Sequence, residues 1–291
     1  PDGATGRLVG MRKDLLSFVK ESPELAPVAI DLKHLFTSWF NRGFLVLRPI
    51  SWSSPAEILE KIIEYEAVHA INSWEDLRAR LQPEDRRCFA FFHPAMPDEP
   101  LIFVEVALTK GIPNSIQGLL EANREPISPE DSDTAVFYSI SNCQEGLAGI
   151  SFGNSLIKQV VADLSLAVPS LTTFVTLSPI PKLKRWLAKG IVSMNVKHTN
   201  QALAAYYLLN AKGTDGRPYD PVARFHLGNG AMLHAVHSDA DNSSNGLKQS
   251  SGVMVNYRYD LNKIPQNHES FLSENKIAVS PEVRALSASI K

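Results

Sequence analysis

The strongest signal for the fold class lies in residues 134–178, TAVFYSISNCQEGLAGISFGNSLIKQVVADLSLAVPSLTTFVTLS. Its first eight and last seven residues are apolar runs with the length and composition of β-strands. Between them lie a loop with three glycines and a segment, 155–168, whose apolar residues recur at helical spacing. This order of strand, loop, helix and strand predicts a β–α–β crossover between parallel strands.

The segments on either side of the crossover predict a mixed sheet. The first forty residues have the apolar spacing of helices, and CFAFFH (88–93) and PLIFVEVAL (100–108) are two strands joined by a short turn. Two more strands are predicted at 222–236 and 252–258, and the polar stretch DADNSSNG (239–246) predicts a mobile loop. The fold class is therefore α+β, with helices on the faces of a mixed sheet and a short all-helical segment before it.

The composition excludes several classes of protein. The chain has 291 residues, 44% of them apolar, and its 29 Lys and Arg nearly balance 31 Asp and Glu, so it lacks the basic surface of a duplex nucleic-acid binder. No apolar run approaches the ~20 residues that span a bilayer, which predicts no membrane partner. With only two cysteines the chain cannot be a disulfide-stapled secreted scaffold, and we expect a cytoplasmic protein.

The glycine loop before the helix is a candidate anion site. Backbone N–H groups at a helix N-terminus bind phosphate well, and glycine lets the ligand approach the backbone closely. The loop fits neither the dinucleotide-binding nor the Walker pattern. Gly149 to Gly153 also match G-x-S-x-G, the nucleophile elbow of α/β-hydrolases, with Ser151 as nucleophile. From the residues alone, a phosphate loop, a hydrolase elbow and a purely structural turn all remain open.

Ser178 and His226 are the candidate catalytic side chains. Ser178 ends an apolar strand, and because Pro179 follows, its backbone is held extended and its hydroxyl is presented in a defined direction. His226 lies in RFHLGNG, which the alternation of apolar residues predicts to be a strand with Arg224 and His226 on one face. A serine in a turn and a structural histidine are the alternative interpretations of these residues.

The remaining histidines and cations carry weaker signals. His234 and His237 are three apart on a predicted strand and would face opposite ways, so no metal site is predicted. Lys182, Lys184 and Arg185 follow the strand of Ser178 and either contact an anionic ligand or form a solvated helix face.

Six longer stretches together resemble malonyl-CoA decarboxylases, and they span nearly the whole chain in one order. They are SWFNRGFLVLRPISW (38–52), FHPAMPDEPLIFVEVAL (92–108), FYSISNCQEGLAGISFGNSLIKQVV (137–161), VTLSPIP (175–181), DPVARFHLGNGA (220–231) and SSGVMVNYRYDL (250–261). Several long matches in the same order are far more specific than any single short motif.

The resemblance implies a helical N-terminal domain, of which residues 1–41 would be the C-terminal part, and a GNAT-like catalytic domain at 42–291. It implies a catalytic serine at Ser178 and a catalytic histidine at His226. It also implies that the malonyl-CoA loop of the family falls on Ala148, Gly149, Ile150, Ser151, Phe152, Gly153 and Asn154.

The activity implied by the resemblance is decarboxylation of malonyl-CoA to acetyl-CoA and CO2. Ser178 would orient the carboxylate and His226 would donate a proton to the enolate carbon, with no metal or cofactor besides the coenzyme A thioester. We also expect a homo-oligomer. Three alternatives remain: a GNAT-type N-acyltransferase, a serine hydrolase that uses Ser151, and a non-catalytic acyl-CoA sensor, encouraged by departures from the family pattern such as Lys182 in place of the usual glycine.

Overall fold

The computed structural model describes residues 3–121, 123–150, 153–190 and 198–290, the first three residues of helix α6 by their backbone alone. Its strands are β1 (Val46–Ile50), β2 (Arg86–His93), β3 (Met96–Thr109), β4 (Thr134–Asn142), β5 (Thr173–Thr176), β6 (Ser178–Pro179), β7 (Met232–His237) and β8 (Met254–Arg258). Its helices are α1 (Ala4–Phe18), α2 (Ala26–Trp39), α3 (Ala56–Tyr65), α4 (Trp74–Leu81), α5 (Ile116–Leu120), α6 (Gly153–Ala167), α7 (Leu183–Leu187), α8 (Asn200–Asn210), α9 (Pro221–Gly228), α10 (Ser244–Ser250), α11 (Ile264–Glu274) and α12 (Pro281–Ala288).

The chain divides into two compact units. The first contains residues 1–106 and 139–167, and the second contains residues 107–138 and 168–291. Strands β3 and β4 each contribute residues to both units. Within the described residues, every helix is too short or too polar to span a lipid bilayer.

The first unit has a sheet in the order β1-β2-β3-β4, with α3 and α4 packed on it. Strand β1 is antiparallel to β2, with Val46 opposite Phe92 and Ile50 opposite Cys88. Apolar side chains of the two helices, among them Ile58, Ile62 and Leu77, are almost fully buried in the core cluster that they share with the strands. Each such side chain stabilises the fold by roughly 1.5–3 kcal/mol relative to an exposed one.

The second unit contains the mixed sheet that the sequence predicts. Its strand order is β3-β4-β5-β8-β6, and β7 also pairs with β8. Strand β4 runs parallel to β5, with Val136 opposite Val175, whereas β5, β6 and β7 are antiparallel to β8. The parallel pair is the one joined by the glycine loop and α6, so the predicted crossover and the mixed sheet are confirmed.

The N-terminal segment is helical, as predicted, and α1 packs directly on the glycine loop. Gly146 lies so close to α1 that an added Cβ would stand 2.0 Å from the carbonyl oxygen of Val9. One turn further along α1, the buried Arg12 donates hydrogen bonds to the carbonyl oxygens of Gly146 and Ala148. Only glycine at position 146 permits this approach, since any side chain there would push α1 away.

The predicted strand at 222–236 is wrong in its first half. Residues Pro221–Gly228 form α9, and only Met232–His237 form a strand, β7. The helix begins here because the carboxylate of Asp220 accepts hydrogen bonds from the N–H groups of Val222 and Ala223, and proline suits the first helical position. His226 and Arg224 therefore do not share a strand face.

The stretch 239–246, predicted as a mobile loop, is a loop as far as Ser243 and then enters α10. Asp241 is 5% exposed, and its N–H donates to the carbonyl of Gly252. The hydroxyl of Ser243 accepts from the N–H of Gly246 and so caps α10, which begins at Ser244. The start of α10 was not predicted, because runs of Ser, Asn and Asp are as common at helix caps as in loops.

We expect the substitution Gly146→Ala to destabilise the protein, because the new Cβ must displace the backbone of α1. Overpacking of this kind costs typically about 1–3 kcal/mol of the free energy of unfolding, measured by urea denaturation. Gly10→Ala in α1 is the matched control: an added Cβ there meets nothing within 4 Å, and alanine stabilises a helix interior by about 0.5–1 kcal/mol over glycine. Equal effects of the two substitutions would contradict the close contact.

Candidate active site

Ser178 is held at the end of the central strands. The run predicted as one strand divides into β5 and the two-residue β6, in which Ser178 lies opposite Val255 of β8. Its hydroxyl donates a hydrogen bond of 2.8 Å to Oγ1 of Thr176, which also accepts the N–H of Tyr257 at 3.1 Å. The side chain is only 5% exposed, so its hydroxyl has a fixed direction.

His226 meets Ser178 from helix α9. Its Nε2 lies 3.2 Å from Oγ of Ser178, and its Nδ1 lies 2.8 Å from the hydroxyl of Tyr259 on the far side of the ring. The imidazole is 2% exposed. The structure thus brings together the two side chains that the sequence singles out, although it places the histidine on a helix rather than on a strand.

One tautomer of His226 satisfies every group around the ring. The hydroxyl of Ser178 already donates to Thr176, so Nε2 carries the proton and donates to Oγ of Ser178. Nδ1 is then an acceptor and receives the hydroxyl proton of Tyr259. The assignment leaves an N–H on the ring nitrogen that faces Ser178.

Aromatic rings enclose the imidazole and set its charge. The ring of Tyr257 stacks on it, with centroids 4.6 Å apart and planes at 23°, and Tyr259 approaches it edge-on. Burial among these rings lowers the pKa of His226 from its ordinary value near 6.5 to about 3, because the charged form loses its hydration. In the ligand-free protein the imidazole is neutral at pH 7.

Thr176, Tyr257 and Tyr259 were not predicted as site residues. In the segment GVMVNYRY, Tyr257 lies on β8 and Tyr259 follows its last residue, Arg258, and their alternate spacing predicts side chains on the same side of the chain. Which face meets the histidine depends on α9, which the sequence analysis missed. The hydroxyl of Tyr257 is buried and has no hydrogen-bond partner among the residues that the structure describes.

The glycine loop is held by its carbonyl groups. A short 3-10 turn spans Glu145–Leu147, and Ile150 then donates its N–H to the carbonyl of Leu147. Gly149 has φ +78°, a conformation that favours glycine. Ser151 and Phe152 lie outside the described residues, and Gly153 and Asn154 form the first turn of α6.

The hydrolase elbow finds no support in this geometry. Such an elbow requires a strand that runs directly into the nucleophile turn and then into a helix. Strand β4 instead ends at Asn142, and the 3-10 turn at Glu145–Leu147 separates it from the G-x-S-x-G stretch. Ser151 therefore lacks the strand–turn–helix setting of a hydrolase nucleophile.

The predicted basic cluster is partly engaged within the second unit. Nζ of Lys182 lies 5.3 Å from the ring centroid of Tyr219, a cation–π contact, and Nζ of Lys184 donates to the carbonyl of Leu247 at 3.4 Å.

His237 contacts the side-chain oxygen of Asn256 through Nε2. Across the described part of the chain, His, Cys, Asp and Glu side chains form no cluster of three or more that could hold a metal ion.

Two family models match the chain along almost its full length. The model of the malonyl-CoA decarboxylase N-terminal domain matches residues 1–40, and that of the C-terminal domain matches 43–199 and 189–291. This chain belongs to the malonyl-CoA decarboxylase family. The matches to the two family models meet close to the predicted domain boundary at 41/42. The two compact units divide the chain at other positions, so the boundary at 41/42 stays a prediction.

Individual malonyl-CoA decarboxylases and a more distant fold relative agree with this family. The mitochondrial malonyl-CoA decarboxylase of Anser anser anser is 35% identical over 97% of this chain and 66% of that protein, so the chain spans slightly under two thirds of that relative's length. The crystal structure of malonyl-CoA decarboxylase from Rhodopseudomonas palustris matches with 52% identity and a TM-score of 0.92 over 97% of this chain and 76% of that one. The GphF GNAT-like decarboxylase, 19% identical, matches with a TM-score of 0.52 over 74% of this chain and 99% of that one, which confirms the GNAT-like fold.

We expect Tyr259→Phe to slow the reaction that is proposed below for this chain, because the substitution removes the hydroxyl that fixes Nδ1 of His226. Loss of one such hydrogen bond corresponds to a roughly tenfold decrease in kcat with little change in KM. Steady-state kinetics measure the effect. Tyr65→Phe, a tyrosine of α3 in the first unit, is the control, and an unchanged kcat in Tyr259→Phe would contradict the positioning role.

The neutral state of His226 also predicts how stability depends on pH. As the pH falls below about 6.5, the unfolded chain binds a proton at this residue that the folded protein does not bind until about pH 3. The contribution of the neutral His226 to the free energy of unfolding is therefore intact above pH 6.5. It is lost as the pH falls, by about 2 kcal/mol between pH 7 and pH 5. Urea denaturation should show this loss in the wild type relative to His226→Asn, and identical pH dependence in the two proteins would refute it.

Proposed function

We propose that this chain decarboxylates malonyl-CoA to acetyl-CoA and CO2. Membership of the family supports the reaction, and the buried contact between Ser178 and His226 is the observation that supports the site. The proposal concerns a chain that spans about two thirds of the goose relative's length. Cytoplasmic location and homo-oligomeric assembly stay predictions beside it.

The chemistry needs little more than oriented polar groups. Loss of CO2 leaves an electron pair on the α-carbon, and that pair delocalises into the thioester carbonyl as an enolate. The protein must hold the carboxylate out of the thioester plane, stabilise the developing oxyanion and supply a proton to carbon. The thioester itself supplies the electron sink, which is why we propose a reaction without metal or cofactor.

Ser178 and His226 are assigned complementary roles. On substrate binding, the hydroxyl of Ser178 turns its proton from Thr176 to the malonyl carboxylate, and this hydrogen bond aligns the bond that breaks. Nε2–H of His226, which faces Ser178 in the free protein, delivers the proton to the α-carbon once CO2 has left. Strand β6 and the hydrogen bond from Tyr259 hold the two side chains in place before the substrate arrives.

Because the pKa of His226 is low, we propose that the imidazole takes up its proton when the substrate binds. Conversion of malonyl-CoA to acetyl-CoA and CO2 consumes one proton, yet the free imidazole is neutral at pH 7. A carboxylate placed beside the ring favours the charged form and so opposes the effect of burial. We therefore assign the proton donor as the imidazolium that forms when the malonyl carboxylate binds.

The coenzyme is assigned to the loop Ala148–Asn154. The N–H of Gly149, which has no acceptor among the described residues, and the N-terminus of α6 suit the phosphates of coenzyme A. Ser151 belongs to this loop and needs no nucleophilic role. A bulky residue at Gly153 would obstruct the same path and weaken malonyl-CoA binding.

We expect His226→Asn to lower the turnover of malonyl-CoA by about 10²–10⁴-fold, the usual contribution of a general acid, with little loss of coenzyme affinity. Ser178→Ala should also lower kcat without unfolding the protein. Mass spectrometry of malonyl-CoA incubated with each protein in EDTA measures acetyl-CoA directly. The control is His268→Asn, a histidine whose Nδ1 donates a hydrogen bond to the carbonyl of Gly228 at the end of α9.

Four outcomes would contradict the proposal. Wild-type-like turnover in His226→Asn would remove the histidine from the reaction, and turnover that EDTA abolishes would show that a metal is required. Release of free coenzyme A thiol with an amine acceptor, but no acetyl-CoA from malonyl-CoA, would favour the N-acyltransferase. Binding of malonyl-CoA without any conversion would favour the sensor.

A further inference from the structure

Lys33 of helix α2 lies over the glycine loop. A Cβ added to Gly149 would lie 3.4 Å from both Cε and Nζ of Lys33, so the ammonium group reaches the loop backbone at this residue. Lys33 itself is exposed to solvent. Both residues belong to the first compact unit, which also contains α6.

The ammonium group of Lys33 has no anionic partner in the described structure. No carboxylate of residues 3–121, 123–150, 153–190 or 198–290 lies within ion-pair distance of it, whereas Lys13 on α1 pairs with Glu145 at 3.5 Å. The position of Lys33 therefore does not result from an internal ion pair. A free cation next to a loop of exposed backbone is available to a ligand.

Arg12 fixes the loop beside Lys33. Its guanidinium donates to the carbonyls of Gly146 and Ala148 and, at 3.5 Å, to the carbonyl of Ala29, which lies one turn before Lys33 on α2. Arg12 is 2% exposed, so these contacts tie α1, α2 and the loop into one arrangement. The helical segment thus holds Lys33 in register with Gly149.

The electrostatics at this position favour an anion. The carbonyl groups of Gly146 and Ala148 are already engaged by Arg12, and the N–H of Gly149 has no acceptor among the described residues. Helix α6, fifteen residues long, begins at Gly153 within the loop and adds the positive end of its dipole. Lys33 contributes a full positive charge at the same place.

We propose that Lys33 binds a phosphate group of coenzyme A. The inference rests on the proposed function, which assigns the loop Ala148–Asn154 to the coenzyme. The pantetheine arm is uncharged, so a lysine at the loop recognises either the diphosphate or the 3′-phosphate of the nucleotide end. Lysine suits this role because it offers a compact charge to phosphate oxygens without requiring a planar partner.

Binding of coenzyme A and of 3′-dephospho-coenzyme A, measured by isothermal titration calorimetry, tests the role of Lys33. We expect Lys33→Met to weaken the binding of coenzyme A about tenfold at 50 mM NaCl, as for loss of a charge-assisted hydrogen bond. The difference from wild type should shrink at 500 mM NaCl, because exposed charges are screened. Lys33→Arg should retain most of the affinity.

The control variant is Lys20→Met, an exposed lysine that follows α1 in the same helical segment. It should bind coenzyme A like wild type, and all three variants should keep the melting temperature of wild type. A loss that is confined to coenzyme A assigns Lys33 to the 3′-phosphate, and a loss shared by both ligands assigns it to the diphosphate. Either result supports the proposal.

Unchanged binding in Lys33→Met, an equal loss in Lys20→Met, or a loss that does not depend on salt would overturn the proposal. Acetyl-CoA formation, measured separately, distinguishes it from the proposed function. If the wild type forms acetyl-CoA and Lys33→Met binds coenzyme A normally, the role of Lys33 is refuted and the proposed function is not. Tight, Lys33-dependent binding without turnover refutes the decarboxylase alone, and a wild type that binds no coenzyme A refutes both.

Discussion

The burial of one imidazole is the constraint on which the site depends. His226 has little contact with water, and its two ring nitrogens lie between hydroxyl groups, one from Ser178 and one from Tyr259. Desolvation makes the ring neutral, and the stacked ring of Tyr257 prevents it from turning away. A neutral, oriented imidazole avoids the cost of burying a charge, and in the proposed mechanism it gains a proton only when a carboxylate binds beside it.

In the first unit, the glycine loop is held by a close contact between two backbones and by one buried arginine. Gly146 allows α1 to contact the backbone of the glycine loop. The guanidinium of Arg12 donates hydrogen bonds to the carbonyls of Gly146 and Ala148. The helical segment thus supports the glycine loop directly. This explains why a segment without catalytic side chains is packed so closely against the loop.

The sequence predicted the sheet and the two central side chains because those signals are local. Apolar runs of strand length and an amphipathic helix define the crossover, and Pro179 fixes the direction of Ser178. The helix of His226 was missed although its signal, Asp220 followed by Pro221, is present. The alternation of apolar residues in RFHLG fits a strand as well as a helix over so short a run, and the cap decides between them.

The rest could not be read from the sequence, since it depends on contacts between distant segments. Tyr259 lies 33 residues after His226, and Arg12 lies 134 residues before Gly146. No spacing rule connects such residues, and only the sheet order places β8 between β5 and β7. The role of Lys33 likewise becomes visible only when α2 is placed over Gly149.

Long-range 1H–15N NMR of the His226 imidazole in the ligand-free protein tests the central claim most directly, with His226→Asn to identify the signals. The account predicts a neutral ring protonated at Nε2 at every pH from 8 down to 5. A ring that titrates near pH 6.5, or one that carries its proton on Nδ1, would contradict it.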